Sequence, residues 1–250
     1  MAEYTPLIDI QALRMIYCNS HYPRKERNMI KYKCLVLDHD DTTVRSTPDI
    51  HYPQWLETLA LMRPDVEMDI ETFMRYNFEL GFFEMCRSVL HFTEEEKAEQ
   101  YVLWKKYTET HNASFYEGMP ELIRDFREQG GVVCVASHSC DRNIIADYMK
   151  TMGDFLPDKI YAADLGEDKM KPAPYALYDI MEKYGFSAHE ILMVDDLKAG
   201  YDMAKTAGVD FACAGWSHFV EEISDYMKNV CGDRYLSSVE QLRKILFEGE

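Results

Sequence analysis

The chain has 250 residues, 47% of them hydrophobic, and its 44 Asp and Glu against 27 Lys and Arg give a formal charge of -17. This length is enough for one large domain, or for one domain that carries a smaller inserted one. The acidic balance, with no basic stripe or run, argues against nucleic acid or an anionic membrane surface as a partner. An anionic substrate would therefore need local positive charge at its binding site.

Cysteine usage and the lack of targeting signals favour a cytoplasmic protein. The seven cysteines are odd in number and include no Cys-x-x-Cys pair, as expected in a reducing compartment. No apolar run approaches membrane-spanning length, and the N-terminus lacks a basic region followed by an apolar one. Residues 1–28 have only weak helical spacing and a polar second half, so we expect them to be a peripheral appendage.

The first predicted strand is the apolar run from Cys34 to Leu37, which ends in the segment Asp38-His39-Asp40-Asp41-Thr42-Thr43. A short continuous apolar run is typical of a buried strand in a parallel sheet. Side chains two positions apart on an extended segment point the same way, so Asp38 and Asp40 can face one small volume. Crowded carboxylates are costly unless a cation, a proton or a donor offsets their repulsion. An acidic surface loop is the alternative interpretation.

A helical block follows this segment, with no clear strand before about Phe115. Helices are predicted over 54–62, 69–79, 82–90 and 94–110, and Thr93 with Glu96 forms a capping-box pattern before the last of them. A block of this length is far longer than a normal loop, so residues 46–115 are predicted to form a small inserted helical domain. Its many aromatic residues are predicted to form the core of that domain rather than a ligand site.

The rest of the chain alternates between strand and helix patterns. Predicted strands cover 132–136, 159–161, 191–194 and 211–214, with a helix between each pair, and a capping-box pattern near Ser237 starts a final helix. This alternation predicts an α/β fold with a doubly wound parallel sheet and right-handed crossovers. In such a sheet the ligand crevice lies just outside the carboxyl ends of the strands.

Polar residues follow three of the predicted strands and occupy one loop between them. They are Asp38 with Asp40, Ser137, Lys171, and Asp195 with Asp196. Each has an ordinary explanation: a serine that caps a helix, a solvated lysine before a proline, and acidic turn residues. Together, and in this order, they favour a shared site at one edge of the sheet.

These residues, in this order, resemble the four motifs of the haloacid dehalogenase superfamily. That family has Asp-x-Asp-x-Thr after the first strand, a hydroxyl after the next core strand, a lysine often in Lys-Pro-x-Pro, and a late acidic pair. This sequence has a match for each motif in turn: the segment 38–42, Ser137, the segment 171–174 and the pair 195–196. The resemblance implies a Rossmann-like core formed by residues 29–45 and 116–250, with an all-helical cap domain, residues 46–115, inserted after the first strand.

The resemblance also implies an activity, that of a phosphatase that needs Mg²⁺ and acts on a small phosphorylated metabolite through an aspartyl-phosphate. Asp38 would be the nucleophile, and Asp40 the general acid and base. Asp40 must then hold a proton near neutral pH, which burial and neighbouring carboxylates favour. Phosphate-ester chemistry requires such a proton donor, whereas the dehalogenases and phosphonate-cleaving members lack a carboxylate at this position.

The remaining site residues follow from the same resemblance. Ser137, the backbone amide of His138, and Lys171 would hold the transferring phosphoryl group and neutralise its charge. Mg²⁺ prefers oxygen ligands, which Asp38, the backbone carbonyl of Asp40 and Asp196 would supply, with Asp195 adjacent.

Three positions depart from the family pattern. Asp41 stands where the family usually has glycine, Leu197 replaces a common serine after the acidic pair, and Arg45 replaces a carboxylate near the start of the cap. The planar guanidinium of Arg45 suits a second phosphate or carboxylate on the substrate. A solvated linker arginine is the alternative interpretation.

Two other functions remain to be weighed. A phosphomutase of the β-phosphoglucomutase type shares every core motif and returns the phosphoryl group to a sugar, and no residue in this sequence separates it from a phosphatase. Receiver domains of response regulators also combine an acidic pair, a phosphorylated Asp, a hydroxyl and a lysine. Their acidic pair precedes the phosphorylated Asp, and they have no cap, so this interpretation is disfavoured. The sequence does not indicate the substrate or the oligomeric state.

Overall fold

The fold is that of a computed structural model, which describes residues 30–247; the predicted appendage, residues 1–28, lies outside the described residues. Its centre is a parallel sheet with the strand order β3-β2-β1-β4-β5-β6. The strands are β1 (Cys34–Leu37), β2 (Val132–Ala136), β3 (Lys159–Tyr161), β4 (Ile191–Asp195), β5 (Asp210–Ala214) and β6 (Tyr235–Leu236). This order is doubly wound around β1, which confirms the predicted α/β class.

Ten α-helices accompany the sheet within the described range. They are α1 (Tyr52–Met62), α2 (Ile70–Glu79), α3 (Phe82–Glu84), α4 (Glu94–Thr108), α5 (Met119–Glu128), α6 (Asp141–Met152), α7 (Tyr175–Tyr184), α8 (Lys198–Ala207), α9 (Glu221–Cys231) and α10 (Val239–Leu246). Wider, π-helical turns precede α1 at Thr47–His51 and follow α3 at Met85–Val89. Between residues 30 and 247, no helix has both the length and the apolar character required to cross a membrane.

The central strands β1 and β4 bury both of their faces, as their continuous apolar sequences predict. In β1, Leu35 and Leu37 face one core cluster, which α5, α6 and α10 cover. Cys34 and Val36 face the opposite cluster, which α7 and α8 cover. Alternate side chains of a strand point to opposite faces, and because both faces of β1 are covered, every residue of β1 is buried. The sheet thus fixes the position of whatever follows Leu37.

Of the two capping boxes predicted from the sequence, the structure contains the first as predicted, and at the second a different residue caps the helix. Thr93 and Glu96 form the predicted capping box, in which Thr93 N donates to Glu96 Oε2 at 2.8 Å and Glu96 N donates to Thr93 Oγ1 at 3.2 Å. The second pattern is shifted by one residue, because Ser238 rather than Ser237 caps α10 and accepts from Gln241 N at 3.3 Å. Val239 is buried against the core, which sets the phase of the helix.

Helix α9 and strand β6 were not predicted. The buried side of α9 includes Ser224 beside Ile223 and Met227, so its apolar stripe is interrupted in the sequence. Strand β6 has only two residues, which is too short for an alternation pattern to be recognised.

The helices between residues 47 and 108 have a core of their own. Trp55, Phe73 and Phe92 are buried in it, and Phe82 packs against it, in agreement with the prediction that aromatic residues form this core. Phe83 differs, because its side chain is 77% exposed. Trp104 lies outside the cluster and stacks on His51, with ring centroids 6.4 Å apart.

We predict that Trp55→Ala lowers the free energy of unfolding by about 3–5 kcal/mol, the usual cost of removing a large buried aromatic side chain. Trp55 is fully buried on α1, and its Nε1 contacts Met68 Sδ at 3.4 Å. Leu61→Ala on the same helix is the control, since Leu61 is 61% exposed and should change stability by only about 0.5 kcal/mol. Equal denaturant midpoints for the two variants would contradict this role of Trp55.

The helical segment leaves and rejoins the sheet domain through two adjacent linkers. Val44 forms an isolated antiparallel bridge with Phe115, and Arg45 N donates to Ser114 O at 2.8 Å. A second contact is made by α9, where Tyr226 packs edge-on against Phe78 of α2 with centroids 5.4 Å apart. Helix α9, which was not predicted, therefore packs against the helical segment at a second place.

Candidate active site

Three carboxylates meet at the carboxyl end of the central strands. Asp38 follows β1, Asp195 ends the neighbouring strand β4, and Asp196 is the next residue. All three are buried, and one carboxylate oxygen of each lies within 4.8 Å of those of the other two. The geometry thus brings together the first and fourth sequence motifs, which are far apart along the chain.

Lys171 joins two of these carboxylates. Its Nζ lies 2.8 Å from Asp38 Oδ1 and 2.5 Å from Asp195 Oδ2. Burial alone would lower the pKa of Lys171, but the charges of Asp195 and Asp38 outweigh it, and the pKa is raised. The neighbouring carboxylates therefore favour the charged ammonium group, which places a positive charge in this buried acidic cluster.

Asp195 is held from three sides. Besides its contact with Lys171, its Oδ1 accepts a hydrogen bond from Leu197 N at 2.9 Å. Gly200 in the first turn of α8 lies against the carboxylate, and a Cβ at this position would come within 2.3 Å of Asp195 Cγ. Any larger residue would displace the carboxylate, so glycine permits the close approach of the helix. With both oxygens engaged, Asp195 is best suited to orient Lys171.

The donor set fits a hard divalent cation. Burial, and after it the repulsion of Asp38, raise the pKa of Asp195 to about 7 in spite of Lys171. Burial and the repulsion of Asp195 raise the pKa of Asp196 well above its usual value. These shifts show that one ammonium group does not offset three buried carboxylates. Oxygen ligands at this spacing are those that Mg²⁺ prefers.

The loop after Asp38 folds into a tight flap. Asp41 adopts a left-handed conformation with φ 53°, which supports the view that Asp replaces the usual glycine there. Its Oδ1 accepts a hydrogen bond from Thr47 N at 3.0 Å, at the start of the first π-helical turn. Thr43 Oγ1 donates to Asp38 O at 2.6 Å, and Thr42 Oγ1 donates to Asp196 Oδ1 at 3.4 Å. The flap therefore contacts two members of the carboxylate cluster directly, Asp38 and Asp196.

Asp40 lies outside the group of three carboxylates and contacts His51 instead. Its Oδ1 lies 3.5 Å from His51 Nε2. Burial would raise the pKa of Asp40, but the hydrogen bond and charge of His51 outweigh it and hold the pKa below its usual value. The prediction of a raised pKa for Asp40 is therefore wrong, because His51 favours the ionised carboxylate more strongly than burial disfavours it. The pKa of His51 is raised in turn by Asp40.

Ser137 and His138 follow β2, beside the loop that carries Lys171. Ser137 is buried, and its Oγ accepts from Ser139 N at 3.2 Å. The His138 ring donates from Nε2 to Lys171 O at 2.8 Å. From the sequence, only the backbone amide of His138 was assigned to the site. The side chain makes a further contact, which ties the end of β2 to the lysine loop.

The sequence matches a known family over most of its length. A family model described as haloacid dehalogenase-like hydrolase matches residues 41–214, which is more than half of the chain. The chain belongs to this family. The protein is therefore a hydrolase of the haloacid dehalogenase type. The matched range begins just after Asp38 and Asp40, so the structure, rather than the match, places Asp38 beside the other motifs.

Solved structures of this family share the fold at low identity. A predicted phosphoglycolate phosphatase from Haemophilus somnus is 17% identical, with a TM-score of 0.62 over 81% of this chain and 99% of that chain. A family hydrolase from Deinococcus radiodurans with bound phosphate and sodium is 17% identical, with a TM-score of 0.68 over 86% and 95%. A mutant of CbbY from Rhodobacter sphaeroides, in complex with xylulose-(1,5)bisphosphate, is 18% identical, with a TM-score of 0.58 over 74% and 86%. No curated protein sequence matches the chain.

Arg45 lies two residues before the helical segment that begins at Thr47 and contacts no member of the carboxylate cluster. Its guanidinium is half exposed and lies 3.9 Å from Asp49 Oδ1, one helical turn further along the chain. Its assignment to substrate binding remains a prediction, since this contact is equally compatible with a linker arginine.

Three residues at the site were missed by sequence reasoning. His51 contacts Asp40 because the π-helical turn packs against the flap. No local sequence pattern predicts this contact. Trp216 and His218 come from the segment after β5, where no motif was recognised. Trp216 Nε1 donates to Thr42 O at 3.2 Å, and His218 Nε2 donates to Asp196 O at 2.8 Å. Both brace residues that the motifs did identify.

Proposed function

We propose that this hydrolase is a Mg²⁺-dependent phosphatase that acts on a small phosphorylated metabolite through an aspartyl-phosphate. The observation that supports this most is the placement of Lys171 between Asp38 and Asp195, with Asp196 adjacent and Asp40 two residues beyond Asp38. A nucleophilic carboxylate beside a fixed ammonium group is what phosphoryl transfer requires, since most of its catalysis is positioning and charge stabilisation.

In this proposal Asp38 attacks phosphorus, and the bond to the leaving oxygen breaks. Lys171 and the hydroxyl of Ser137 bind the equatorial oxygens of the phosphoryl group, whose charge is spread over them in the transition state. Asp195 holds Lys171 in place through its own contact with Nζ. The bracing of Asp38 by Thr43 keeps the nucleophile aligned with the strand. Water then attacks the aspartyl-phosphate, and phosphate is released.

Proton transfer is assigned to Asp40 together with His51. Trp104 Nε1 donates to His51 Nδ1 at 3.3 Å, so the remaining ring nitrogen, Nε2, carries the hydrogen that faces Asp40. His51 thus donates a hydrogen bond to Asp40 and orients it, but it keeps this hydrogen, since its loss would leave an imidazolate anion. Asp40 takes a proton from solvent, gives it to the leaving oxygen and, ionised again, removes one from the attacking water.

The metal is assigned to the buried acidic cluster. Asp38, Asp196 and the backbone carbonyl of Asp40 would hold Mg²⁺, with Asp195 adjacent, and the ion would neutralise charge on the phosphoryl oxygens. His218 supports this assignment because it fixes the backbone of Asp196 through the carbonyl oxygen. Burial lowers the pKa of His218 to about 4, so its ring is neutral at physiological pH and adds no competing cation.

Two of the structural neighbours agree with phosphate chemistry, since one contains bound phosphate and another a sugar bisphosphate. The proposal is tested by a screen of phosphorylated metabolites with Mg²⁺, in which both released phosphate and isomerised product are measured. Phosphate release supports the phosphatase. Isomer without phosphate release would instead establish the alternative, a phosphomutase of the β-phosphoglucomutase type. We further propose that the protein acts in the cytoplasm.

A further inference from the structure

A small crevice between the cap and the core opens beside Asp40. Its walls come from the start of the cap, the linker that returns from the cap, and α6. Besides Asp40 and Asp147, the lining side chains that can form hydrogen bonds are those of Ser46, His51, Thr108, His111, Asn112, Ser139 and Asn143. Since Asp40 is the proton donor in the proposed function, the group that leaves with the proton must lie on this side of the site. The crevice is therefore the place of the leaving group.

No lysine or arginine lines this crevice within the described part of the chain. Arg142 contacts Thr108 and Asn143 from outside, but its guanidinium is paired with Glu109 at 3.2 Å. Arg45 is on the linker and faces Asp49. Of the two histidines that line the crevice, His51 is paired with Asp40, and His111 stacks on Tyr107 with its Nδ1 3.0 Å from Thr110 Oγ1. A second phosphate or a carboxylate on the leaving group would thus enter the crevice without a lysine or arginine to receive it.

The two carboxylates of the crevice are already occupied. Asp147 accepts from Asn112 Nδ2 at 2.9 Å through one oxygen, and its other oxygen lies 3.0 Å from His39 Nε2. Asp40 is paired with His51. Neither carboxylate requires a further cation, so the crevice does not select a positively charged leaving group either. What remains for recognition is a set of neutral donors and acceptors.

We propose that the leaving group of the substrate is an uncharged, hydroxyl-bearing group, such as a polyol or a sugar, and not one with a second anionic group. The inference rests on the proposed function and names its substrate class. Amide and hydroxyl side chains such as Asn143 and Ser139 bind hydroxyl groups as donors and acceptors at once. As the structure stands, the crevice encloses about 20 Å³, so a leaving group larger than a water molecule or two enters only when the cap moves.

Matched substrates test this directly. Glycerol 1-phosphate and 3-phosphoglycerate have the same carbon skeleton and differ in a hydroxymethyl group against a carboxylate, and phosphoethanolamine adds a cationic comparison. We expect kcat/KM for glycerol 1-phosphate to exceed the other two by about tenfold or more, since an unpaired charge in a poorly solvated crevice costs at least that. Equal or greater kcat/KM for 3-phosphoglycerate would overturn the inference.

Variants of Asn143 separate charge from shape. Asn143→Lys places a cation in the crevice and should bring kcat/KM for 3-phosphoglycerate closer to that for glycerol 1-phosphate. Asn143→Leu, of similar size but neutral and apolar, should raise KM for glycerol 1-phosphate without improving 3-phosphoglycerate. A preference for 3-phosphoglycerate that is lost in Arg45→Ala would show instead that Arg45 receives an anionic group, and would reject the inference.

The failure of this inference is distinguishable from the failure of the proposed function. If anionic leaving groups are hydrolysed well, phosphate is still released and only the substrate class is wrong. If none of the three esters releases phosphate and none transfers a phosphoryl group to the protein, the assignment as a phosphatase for such substrates fails with it.

Discussion

Asp38→Asn is expected to abolish both turnover and phosphoenzyme formation while the protein remains folded. The amide is nearly the same size as the carboxylate but is a very poor nucleophile, so we expect kcat to fall by about 10⁴-fold or more. The fold should tolerate the change, because the variant removes one charge from a buried cluster in which Lys171 keeps Asp195 as its partner. Phosphate release and the thermal midpoint, measured on the same sample, check both parts of the prediction.

Asp40→Asn provides the matched comparison for this variant. It should slow the hydrolysis of alkyl phosphates, whose leaving oxygen needs a proton. It should still allow phosphoryl transfer from an aryl phosphate with an acidic phenol, because that leaving group departs without one. Substantial phosphate release by Asp38→Asn, or complete loss of transfer in Asp40→Asn with the aryl ester, would contradict the assigned roles.

Metal binding is expected to stabilise the protein, and to do so more strongly as pH rises. The pKa of Asp195 is raised to about 7 and that of Asp196 is raised well above its usual value, whereas both carboxyls titrate near their usual values in an unfolded chain. The folded protein therefore keeps protons that the unfolded chain has lost. The stability from these protons is fully present below the unfolded pKa values and is lost as pH rises through the folded ones.

Mg²⁺ competes with these protons, so its effect should be larger at about pH 8 than at about pH 5.5. At a concentration about 100 times its Kd the ion should contribute about 2.7 kcal/mol, which raises Tm by roughly 5–10 °C for a chain of this size. Differential scanning calorimetry with Mg²⁺ and with EDTA at the two pH values measures this. Activity should be lost with EDTA, and Ca²⁺ should not replace Mg²⁺ well, because it takes more ligands at longer distances.

Asp196→Asn and Asp154→Asn are the variants for this experiment. Asp196→Asn should remove most of the stabilisation by Mg²⁺ and should itself raise Tm without metal at high pH, since it removes a crowded charge. Asp154→Asn removes an exposed carboxylate and should respond to Mg²⁺ as the unaltered protein does. A Tm that is independent of Mg²⁺ at both pH values, or full activity after rigorous chelation, would exclude the acidic cluster as the metal site.

The parts of the fold that the sequence predicts are those with continuous apolar runs. Each central strand is buried on both faces, so β1 and β4 are recognisable from composition alone, and the residues that follow them are placed at one edge by topology. This is why Asp38 and Asp195 could be grouped from the sequence, whereas Lys171, which lies in a loop, was added through its Lys-Pro-x-Pro motif. Helix α9 was not predicted, because Ser224 interrupts the apolar residues of its buried side. The contact between α9 and the helical segment could therefore not be predicted either.

The protonation of the site was harder to predict than its composition. The sequence places acidic residues around Asp40, and from these alone a raised pKa follows. His51, which lowers the pKa of Asp40 instead, contacts it through the folded flap. The turn of this flap depends on the left-handed Asp41 and on its hydrogen bond from Thr47 N. His218 and Trp216 are similar cases, since their contacts join segments far apart in the sequence. Contacts of this kind have no periodicity and are visible only in three dimensions.

The central claim is that Asp38 carries the phosphoryl group, and rapid-quench labelling tests it most directly. The protein is mixed with Mg²⁺ and a ³²P-labelled sugar phosphate or polyol phosphate, quenched in acid, digested, and the labelled peptide identified by mass spectrometry. The account predicts transient label, sensitive to hydroxylamine, on the peptide that contains Asp38, and none in Asp38→Asn. Label on the peptide with Ser137, or steady phosphate release with no labelled protein at any time, would contradict it.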